Sequence, residues 1–244
     1  EGEPGPLTYN RTHADGANMF ARLLAPHGGI LIWRSFVHKG FKGWSEFEYQ
    51  TFHALDGQFD SNVIVQTKNG PIDFQAREPT NPLFGAMPKT NQAIELQITQ
   101  EYTGHATHLC YLPTYWSKVL GFETHYSGNG PTVGEIVDGS ADKQTLTGFA
   151  GVINFGDDRN WTGSYLSAAN TRGFGRLAWD HPLAVQDIAA EWTKLTFGDD
   201  PQILATLVPM LESSWQTYLN YTTPFGTGYM MRPTGAHYLP DPRG

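Results

Sequence analysis

Charged side chains follow short apolar strands at three points along the sequence. In chain order they are residues 29–33 with Arg34, residues 62–67 with Lys68 and Asp73, and residues 93–98 with Glu101. Runs of Val, Ile and Leu bounded by Gly and Asn predict buried strands, and helical segments between them predict parallel β-α units. Chemistry gathers at the carboxyl ends of such strands because the loops there converge on one face. The pattern predicts a cleft with two cations and two carboxylates, suited to a charged, oxygen-rich substrate.

The two carboxylates suggest one kind of catalysis. Asp73 and Glu101 lie 28 residues apart and follow neighbouring predicted strands. Paired carboxylates beyond strand ends suit acid–base hydrolysis of a glycosidic bond, with one group protonated and one ionised, or with both as bases opposite an acid elsewhere. The alternative is that both cap helices or pair with Arg77 and Lys89. The spacing alone leaves these interpretations open.

The two cations present the same choice. Arg34 and Lys68 could each form an ion pair with Asp73 or Glu101. They could instead hold the carboxylate of an acidic sugar, because Arg binds a carboxylate through two parallel hydrogen bonds and Lys binds it as a point charge. At the start of the chain, Glu1 and Glu3 precede a Pro-Gly-Pro loop. General reasoning predicts that they are solvated terminal residues.

Composition excludes several classes of protein. The chain has 244 residues, of which 39% are hydrophobic and 16% charged, as expected of a globular protein. A net charge of −8 without a Lys/Arg cluster argues against nucleic-acid binding. No apolar run reaches the roughly 18 residues that a membrane-spanning helix needs. The sequence has one cysteine, so it cannot form an internal disulfide, which fits a reducing compartment.

The histidines do not indicate a metal site. His105, His108 and Cys110 have short ligand spacing, but no second cluster completes them, so a structural or exposed role is favoured. His13 is expected to be a hydrogen-bonded residue near a helix start and not a catalyst. We therefore expect no metal and no cofactor.

The order of elements changes along the chain, from β-α alternation to helices alone near residues 165–182. The predicted helices begin with one capped by Asp15, followed by residues 44–55, 113–121, 165–178, 185–197 and 203–221, and a fourth strand covers residues 149–155. Half of a β/α barrel would leave two open edges and an unclosed core. We therefore expect a fragment of a longer polypeptide that begins partway through a barrel.

Six ordered motifs are distributed along the chain, and the similarity that they belong to covers nearly all of it. They occupy residues 10–19, 24–29, 68–79, 83–92, 97–104 and 160–163, and include Lys68-Asn-Gly-Pro-Ile-Asp-Phe-Gln and Thr99-Gln-Glu-Tyr-Thr-Gly104. Together they resemble the α-glucuronidases of glycoside hydrolase family 67. The chain departs from that pattern at Ser35, where a cysteine is expected, and in a shorter segment between Phe36 and Asp56.

The resemblance implies a fold. Family members have an N-terminal β-rich domain, a central (β/α)₈ barrel and a C-terminal helical domain. The expected fold class is therefore α/β, namely the C-terminal half of a (β/α)₈ TIM barrel followed by an α-helical segment. Residues 1–170 would form the second half of the catalytic barrel, and residues 171–244 the incomplete start of the helical domain.

The resemblance also implies an activity, which is the removal of α-1,2-linked (4-O-methyl)glucuronic acid from xylooligosaccharide ends, with inversion. The resemblance implies that Asp73 and Glu101 act together as general bases and that Glu1 is the general acid, with Glu3 as the alternative. It also implies that Arg34 and Lys68 bind the substrate carboxylate.

Partners and location follow from the same interpretation. We expect aldouronic acids from glucuronoxylan as substrates, no nucleic-acid or membrane partner, and a homodimer as one permitted assembly. Two other functions stay open: a different glycosidase acting on uronic-acid or neutral sugars, and an inactive carbohydrate-binding fragment. Single-cysteine usage and small oligosaccharide substrates favour the cytoplasm, with a secreted or cell-surface location as the alternative.

Overall fold

The structure is a computed structural model that describes residues 5–37, 44–71, 75–101, 103, 108–125, 128–154, 156, 157, 159 and 162–223. Its strands are β1 (Leu31–Arg34), β2 (Val63–Lys68), β3 (Gln92–Gln97) and β4 (Gly148–Val152). Its α-helices are α1 (His13–Leu24), α2 (Trp44–His53), α3 (Pro113–Leu120), α4 (Val133–Val137), α5 (Ala168–Trp179), α6 (Val185–Phe197) and α7 (Pro201–Thr222). Short 3₁₀ helices cover Pro6–Tyr9 and Ala25–His27.

The four strands form one sheet in the order β1-β2-β3-β4. β1 pairs with β2 in parallel, and β2 pairs with β3 in parallel. Every residue of β3 is buried, as expected of a strand covered on both faces, whereas β1 alternates between intermediate and exposed positions. The predicted α/β class with a parallel sheet is confirmed, and the four predicted strands are each found within a few residues of their expected positions.

Helix α1 shows how local sequence sets a boundary. Thr12 is its N-cap: the Thr12 hydroxyl accepts the Asp15 N–H at 3.0 Å, and the Asp15 carboxylate accepts the Thr12 N–H at 3.0 Å. The prediction of Asp15 as the N-cap was therefore wrong. Asp15 occupies the third helical position, where an acidic side chain completes a capping box and interacts favourably with the helix dipole.

One compact unit comprises Glu1–Ile72, Pro79–Leu96 and Gly121–Ala150. Among its described residues, Phe52, Val65, Leu83 and Met87 form one buried apolar cluster, and Ala17, Ala21 and Val63 form another. Because β2 supplies residues to both, this strand is the centre of the unit. The unit also contains α4, a helix that the sequence analysis missed although Thr132 and Glu135 form a capping box in front of it.

The second compact unit comprises Asp73–Glu78, Gln97–Leu120 and Gly151–Gly244. Among its described residues, one buried apolar cluster consists of Tyr111, Ala169, Ala189, Trp192 and Leu211. Gly173 of α5 lies so close to α3 that an added Cβ would be 2.2 Å from Pro113 Cγ, so a side chain there would separate these helices. Cys110 is buried in this unit, at 1% exposure.

The predicted helices after residue 165 are confirmed, and that at 185–197 has the predicted bounds. The predicted domain boundary between residues 170 and 171 stays a prediction. No helix among the described residues is both long and apolar enough to cross a bilayer.

Candidate active site

The ends of β1 and β2 bring the predicted cations to one face of the sheet. Arg34 is paired in register with Gln66, and Lys68 with Glu95. Side chains two residues apart on a strand point to the same face, so Gln66 and Lys68 share a face with their cross-strand neighbours. This register places two cations, one amide and one carboxylate together.

Arg34 is held by a buried carboxylate. Its Nε donates to Glu95 Oε2 at 2.8 Å, and its Nη2 donates to Glu95 Oε1 at 2.6 Å. The Glu95 side chain is completely buried, whereas that of Arg34 is 46% exposed. Gln66 Nε2 also donates to Glu95 Oε2. Glu95 therefore fixes one edge of the guanidinium from below, and half of the Arg34 side chain remains accessible.

Lys68 and Arg34 meet at one aromatic ring. Lys68 Nζ lies 3.6 Å from the centroid of the Phe36 ring, and Arg34 Cζ lies 5.1 Å from it. A ring face attracts cations through its quadrupole, most strongly where water is excluded. Lys68 is 1% exposed, so this condition holds for its side chain. The structure thus brings together the two residues expected to bind a carboxylate.

A second buried carboxylate lies behind these strand ends. Glu48 of α2 is 1% exposed. Ser35 Oγ donates to Glu48 Oε1 at 2.7 Å, and Asn81 Nδ2 donates to Glu48 Oε2 at 3.1 Å. Burial raises the pKa of Glu48 to about 7, against the lowering effect of those two hydrogen bonds and of the charges on Lys68 and Arg34.

Sequence reasoning missed both Glu95 and Glu48, although each leaves a signal. Glu95 lies inside the apolar run of β3, where an ionised group needs a partner. Glu48 lies four residues from Phe52 on an amphipathic helix, so it shares the apolar face that packs on the sheet. The same reasoning had offered Asp73 or Glu101 as ion-pair partners, whereas the structure shows Glu95 as a partner of Arg34.

The predicted catalytic carboxylates are described only in part. Glu1, its alternative Glu3, and Asp73 lie outside the described residues. Glu101 is partly exposed and accepts a hydrogen bond from Gln97 Nε2 at 3.1 Å. Its role as a base stays a prediction.

The segment that follows Asp73 is anchored by aromatic side chains of its own unit. Trp215 Nε1 donates to the Ala76 carbonyl oxygen at 3.0 Å, and the Glu78 N–H donates to the Tyr115 hydroxyl at 3.2 Å. The Tyr115 and Trp215 rings stack with centroids 5.3 Å apart. Trp215 and Tyr115 therefore hold the backbone at Ala76 and Glu78.

The histidines have structural contacts. His13 is buried, stacks on Phe52 with centroids 4.9 Å apart, and its Nδ1 lies 3.3 Å from Trp33 Nε1, which donates to it. Burial lowers the pKa of His13, which favours the neutral ring. His108 Nδ1 lies 2.6 Å from the Tyr221 hydroxyl, while His105 lies outside the described residues. Among the residues that the structure describes, no group of three or more His, Cys, Asp and Glu side chains could hold a metal ion.

Comparison with known proteins identifies relatives over the whole chain. It is 46% identical over 248 residues to the alpha-glucuronidase of Hypocrea jecorina, a match that covers 99% of this chain and 29% of that protein. It is 45% identical over 249 residues to alpha-glucuronidase A of Aspergillus tubingensis and 43% identical over 251 residues to that of Emericella nidulans, with 99% of this chain and 30% of each relative covered. The chain thus spans about three tenths of the length of the curated relatives it matches.

Two family models divide the sequence between them. Residues 1–161 match the glycosyl hydrolase family 67 middle domain, and residues 162–244 match the glycosyl hydrolase family 67 C-terminus. The strand ends with Arg34 and Lys68 fall within the first match, and helices α5, α6 and α7 fall within the second. The chain therefore belongs to glycosyl hydrolase family 67.

Proposed function

We propose that this chain supplies the uronate-recognising part of an α-glucuronidase, which removes α-1,2-linked (4-O-methyl)glucuronic acid from the ends of xylooligosaccharides. The observation that carries the proposal is the arrangement of Arg34 and Lys68 around the Phe36 ring, with Glu95 buried beneath Arg34. Two cations of fixed orientation, one of them half exposed, suit a sugar carboxylate. The alpha-glucuronidase names of the relatives support the same assignment.

The finer part of the proposal concerns the fold. The parallel sheet is the second half of a (β/α)₈ barrel, and α5, α6 and α7 lead into a helical domain. In such a barrel the carboxyl ends of β1 and β2 open into the catalytic cleft. The placement of Arg34 and Lys68 at those ends supports this assignment.

The proposed chemistry is hydrolysis with inversion. Asp73 and Glu101 orient a water molecule and remove its proton as its oxygen attacks the anomeric carbon of the uronate. Glu1, with Glu3 as the alternative, donates a proton to the leaving xylose oxygen as the glycosidic bond breaks. An inverting site needs about 6.5–9.5 Å between acid and base so that the water fits between them. Arg34 and Lys68 hold the uronate carboxylate during this step.

The test is a product assay on aldouronic acids with the enzyme that contains this chain. We expect release of free (methyl)glucuronate without cleavage of the xylan backbone. Backbone cleavage or release of a neutral sugar would indicate a different glycosidase, and binding without turnover would indicate a carbohydrate-binding protein.

The same assay tests the catalytic carboxylates. Replacing Asp73 or Glu101 with Ala should lower turnover by about 10²-fold or more, because general base catalysis contributes about that much. Glu46→Ala serves as the control, since Glu46 is an exposed carboxylate of α2 that contacts Gln50. Turnover within twofold of the wild type in both single variants would remove the pair from the mechanism.

The cytoplasmic location, with its secreted or cell-surface alternative, and the homodimer stay predictions. Aldouronic acids as substrates follow from the proposed activity. Cell fractionation tests the location of the complete enzyme, and analytical ultracentrifugation tests whether the complete enzyme is a homodimer.

A further inference from the structure

Glu48 has no role in the chemistry proposed above, yet it is a buried ionisable group close to both recognition cations. At 1% exposure it is almost completely withdrawn from water. Burying a carboxylate is unfavourable unless hydrogen bonds and charges compensate it. The side chains that contact or face it show what this carboxyl group does.

Ser35 connects Glu48 to chain neighbours of both cations. Ser35, which donates to Glu48 Oε1 at 2.7 Å, directly follows Arg34 in the chain. Ser35 Oγ is also hydrogen-bonded to Thr67 Oγ1 at 3.3 Å, and Thr67 directly precedes Lys68. Both hydroxyl-bearing residues are completely buried. Glu48 therefore holds the ends of β1 and β2 together through a chain of two hydroxyl groups.

A second path leads from Glu48 to the loop after β2. Asn81 donates its side-chain amide to Glu48 Oε2 at 3.1 Å, and its backbone N–H to the Asn69 carbonyl oxygen at 3.0 Å. The Asn69 N–H in turn donates to the Glu95 carbonyl oxygen at 3.1 Å. Displacement of the Glu48 carboxyl group would thus disturb both strand ends and the loop that follows Lys68.

Among the described residues, the charges that act on the pKa of Glu48 are positive: Arg34 acts from β1 and Lys68 from β2. Asn81, in the described part of the loop after β2, presents a neutral amide. The ionised Glu48 carboxylate adds to the compensation that Glu95 already gives Arg34. A uronate carboxylate at Arg34 and Lys68 would add a further anion beside Glu48 and Glu95 and make the ionised state of Glu48 less favourable.

The hydrogen bonds around Glu48 suit either protonation state. When Glu48 is ionised, Ser35 donates to it. When Glu48 is protonated, its hydroxyl can donate to Ser35 Oγ while Ser35 donates to Thr67 Oγ1, and Asn81 still donates to the other oxygen. Because burial raises the pKa of Glu48 to about 7, a proton can be gained or lost near neutral pH.

We propose that Glu48 is a positioning residue for uronate recognition, which takes up one proton from solvent when a uronate carboxylate binds to Arg34 and Lys68. This inference rests on the function proposed above. Its consequence is that uronate affinity depends on pH. Binding coupled to proton uptake weakens as pH rises through the pKa of the free protein, because deprotonated Glu48 must first gain a proton.

The experiment is calorimetric titration of the complete enzyme with glucuronate between about pH 6 and pH 8, in buffers of different ionisation enthalpy. The ligand carboxylate stays ionised throughout, since carboxylic acids titrate near pH 4. We expect the wild-type Kd to rise by about 3- to 10-fold across this range, with uptake of up to about one proton. In Glu48→Gln, which keeps the shape of the side chain, Kd should change by less than about twofold and no proton should be taken up.

Two further variants separate titration of Glu48 from a general effect of substitution. Glu46→Gln makes the same change at an exposed position of α2 and should keep the wild-type pH dependence. Ser35→Ala keeps the Glu48 carboxyl group but removes a hydrogen bond that stabilises its ionised form, so the midpoint of the pH dependence should move upward. If Glu48→Gln does not fold, the shift in Ser35→Ala still decides the question.

The outcomes distinguish this inference from the function on which it rests. Binding of glucuronate with unchanged pH dependence in Glu48→Gln, or with an unmoved midpoint in Ser35→Ala, would overturn the inference and leave the function intact. Absence of glucuronate binding in the wild type at every pH would overturn both. In steady-state kinetics the supporting result is a change in the pH profile of KM with little change in that of kcat.

Discussion

Two clusters of ionic side chains differ in how far they are removed from water. Beneath the ends of β1 and β2, the carboxylate of Glu95 is completely buried and holds Arg34 through two hydrogen bonds. Between α5 and α6, the side chain of Glu191 is 38% exposed and pairs with Arg172 and Arg176. A surface ion pair adds little to stability. Loss of one partner of a buried ion pair is strongly destabilising, because it leaves a charge without compensation. The buried cluster therefore fixes the orientation of a cation, and the exposed one is a surface network.

Removal of the buried carboxylate should have the largest effect. Glu95→Ala leaves Arg34 without its fork partner and Gln66 without an acceptor, and we expect a loss of about 3–5 kcal/mol in the free energy of unfolding. Denaturant unfolding measures this loss. A change below about 1 kcal/mol would mean that the pair is as solvated as a surface pair, and the contrast between the two clusters would disappear.

Removal of the cation should affect recognition. Arg34→Met should lower kcat/KM for a glucuronide, which corresponds to a loss of roughly 2–4 kcal/mol in transition-state stabilisation. The reason is that the substrate carboxylate loses a charged hydrogen-bonding partner. The corresponding neutral glucoside is the matched control and should lose much less. Equal losses for both substrates would show that Arg34 serves the fold and not the recognition of charge.

The second buried carboxylate should make stability depend on pH. Because the pKa of Glu48 is raised from 4.5 to about 7 in the folded protein, its contribution to stability is complete below about pH 4.5 and is lost as pH rises through about 7. From pH 5 to pH 7 the wild type should lose about 2 kcal/mol more unfolding free energy than Glu48→Gln. The control is Glu46→Gln, whose unfolding free energy should change with pH as that of the wild type does. The same pH dependence of the unfolding free energy in all three proteins would contradict the prediction.

The smallest effect is expected in the exposed cluster. Glu191→Ala should change the free energy of unfolding by less than about 1 kcal/mol, and added salt should reduce the difference further. Thermal unfolding at low and high ionic strength measures both effects. A salt-independent loss above about 2 kcal/mol would mean that the Arg172 and Arg176 contacts act as a buried network.

Much of the fold could be predicted because apolar spacing is local information. The strand at residues 62–67 and the helix at residues 185–197 were identified from such spacing, and both are present. Capping was harder, since Thr12 and Asp15 each have a side chain that can cap, and only the backbone geometry shows which one precedes the helix. The short helix Val133–Val137 has too few residues for a clear 3.6-residue period.

The site could be predicted only in part for a different reason. Arg34 and Lys68 could be proposed from the sequence because they end apolar strands, and their role in binding stays a prediction. Glu95 and Glu48 were missed because their contacts are with residues far away in the sequence, across the sheet for Glu95 and from helix to strand end for Glu48. The local sequence of one segment does not show which distant segment it contacts. Phe36 illustrates the same limit, since an aromatic residue gains meaning here only from the two cations placed near its ring.

The burial of Cys110 gives this chain a built-in chemical reporter. It is the single thiol in the sequence, it lies at 1% exposure, and burial raises its pKa to about 12. Thiol reagents attack the thiolate, so labelling in the folded state must wait for the surrounding segment to open. The labelling rate of Cys110 would therefore measure how often the apolar cluster around Tyr111 opens, without any engineered probe.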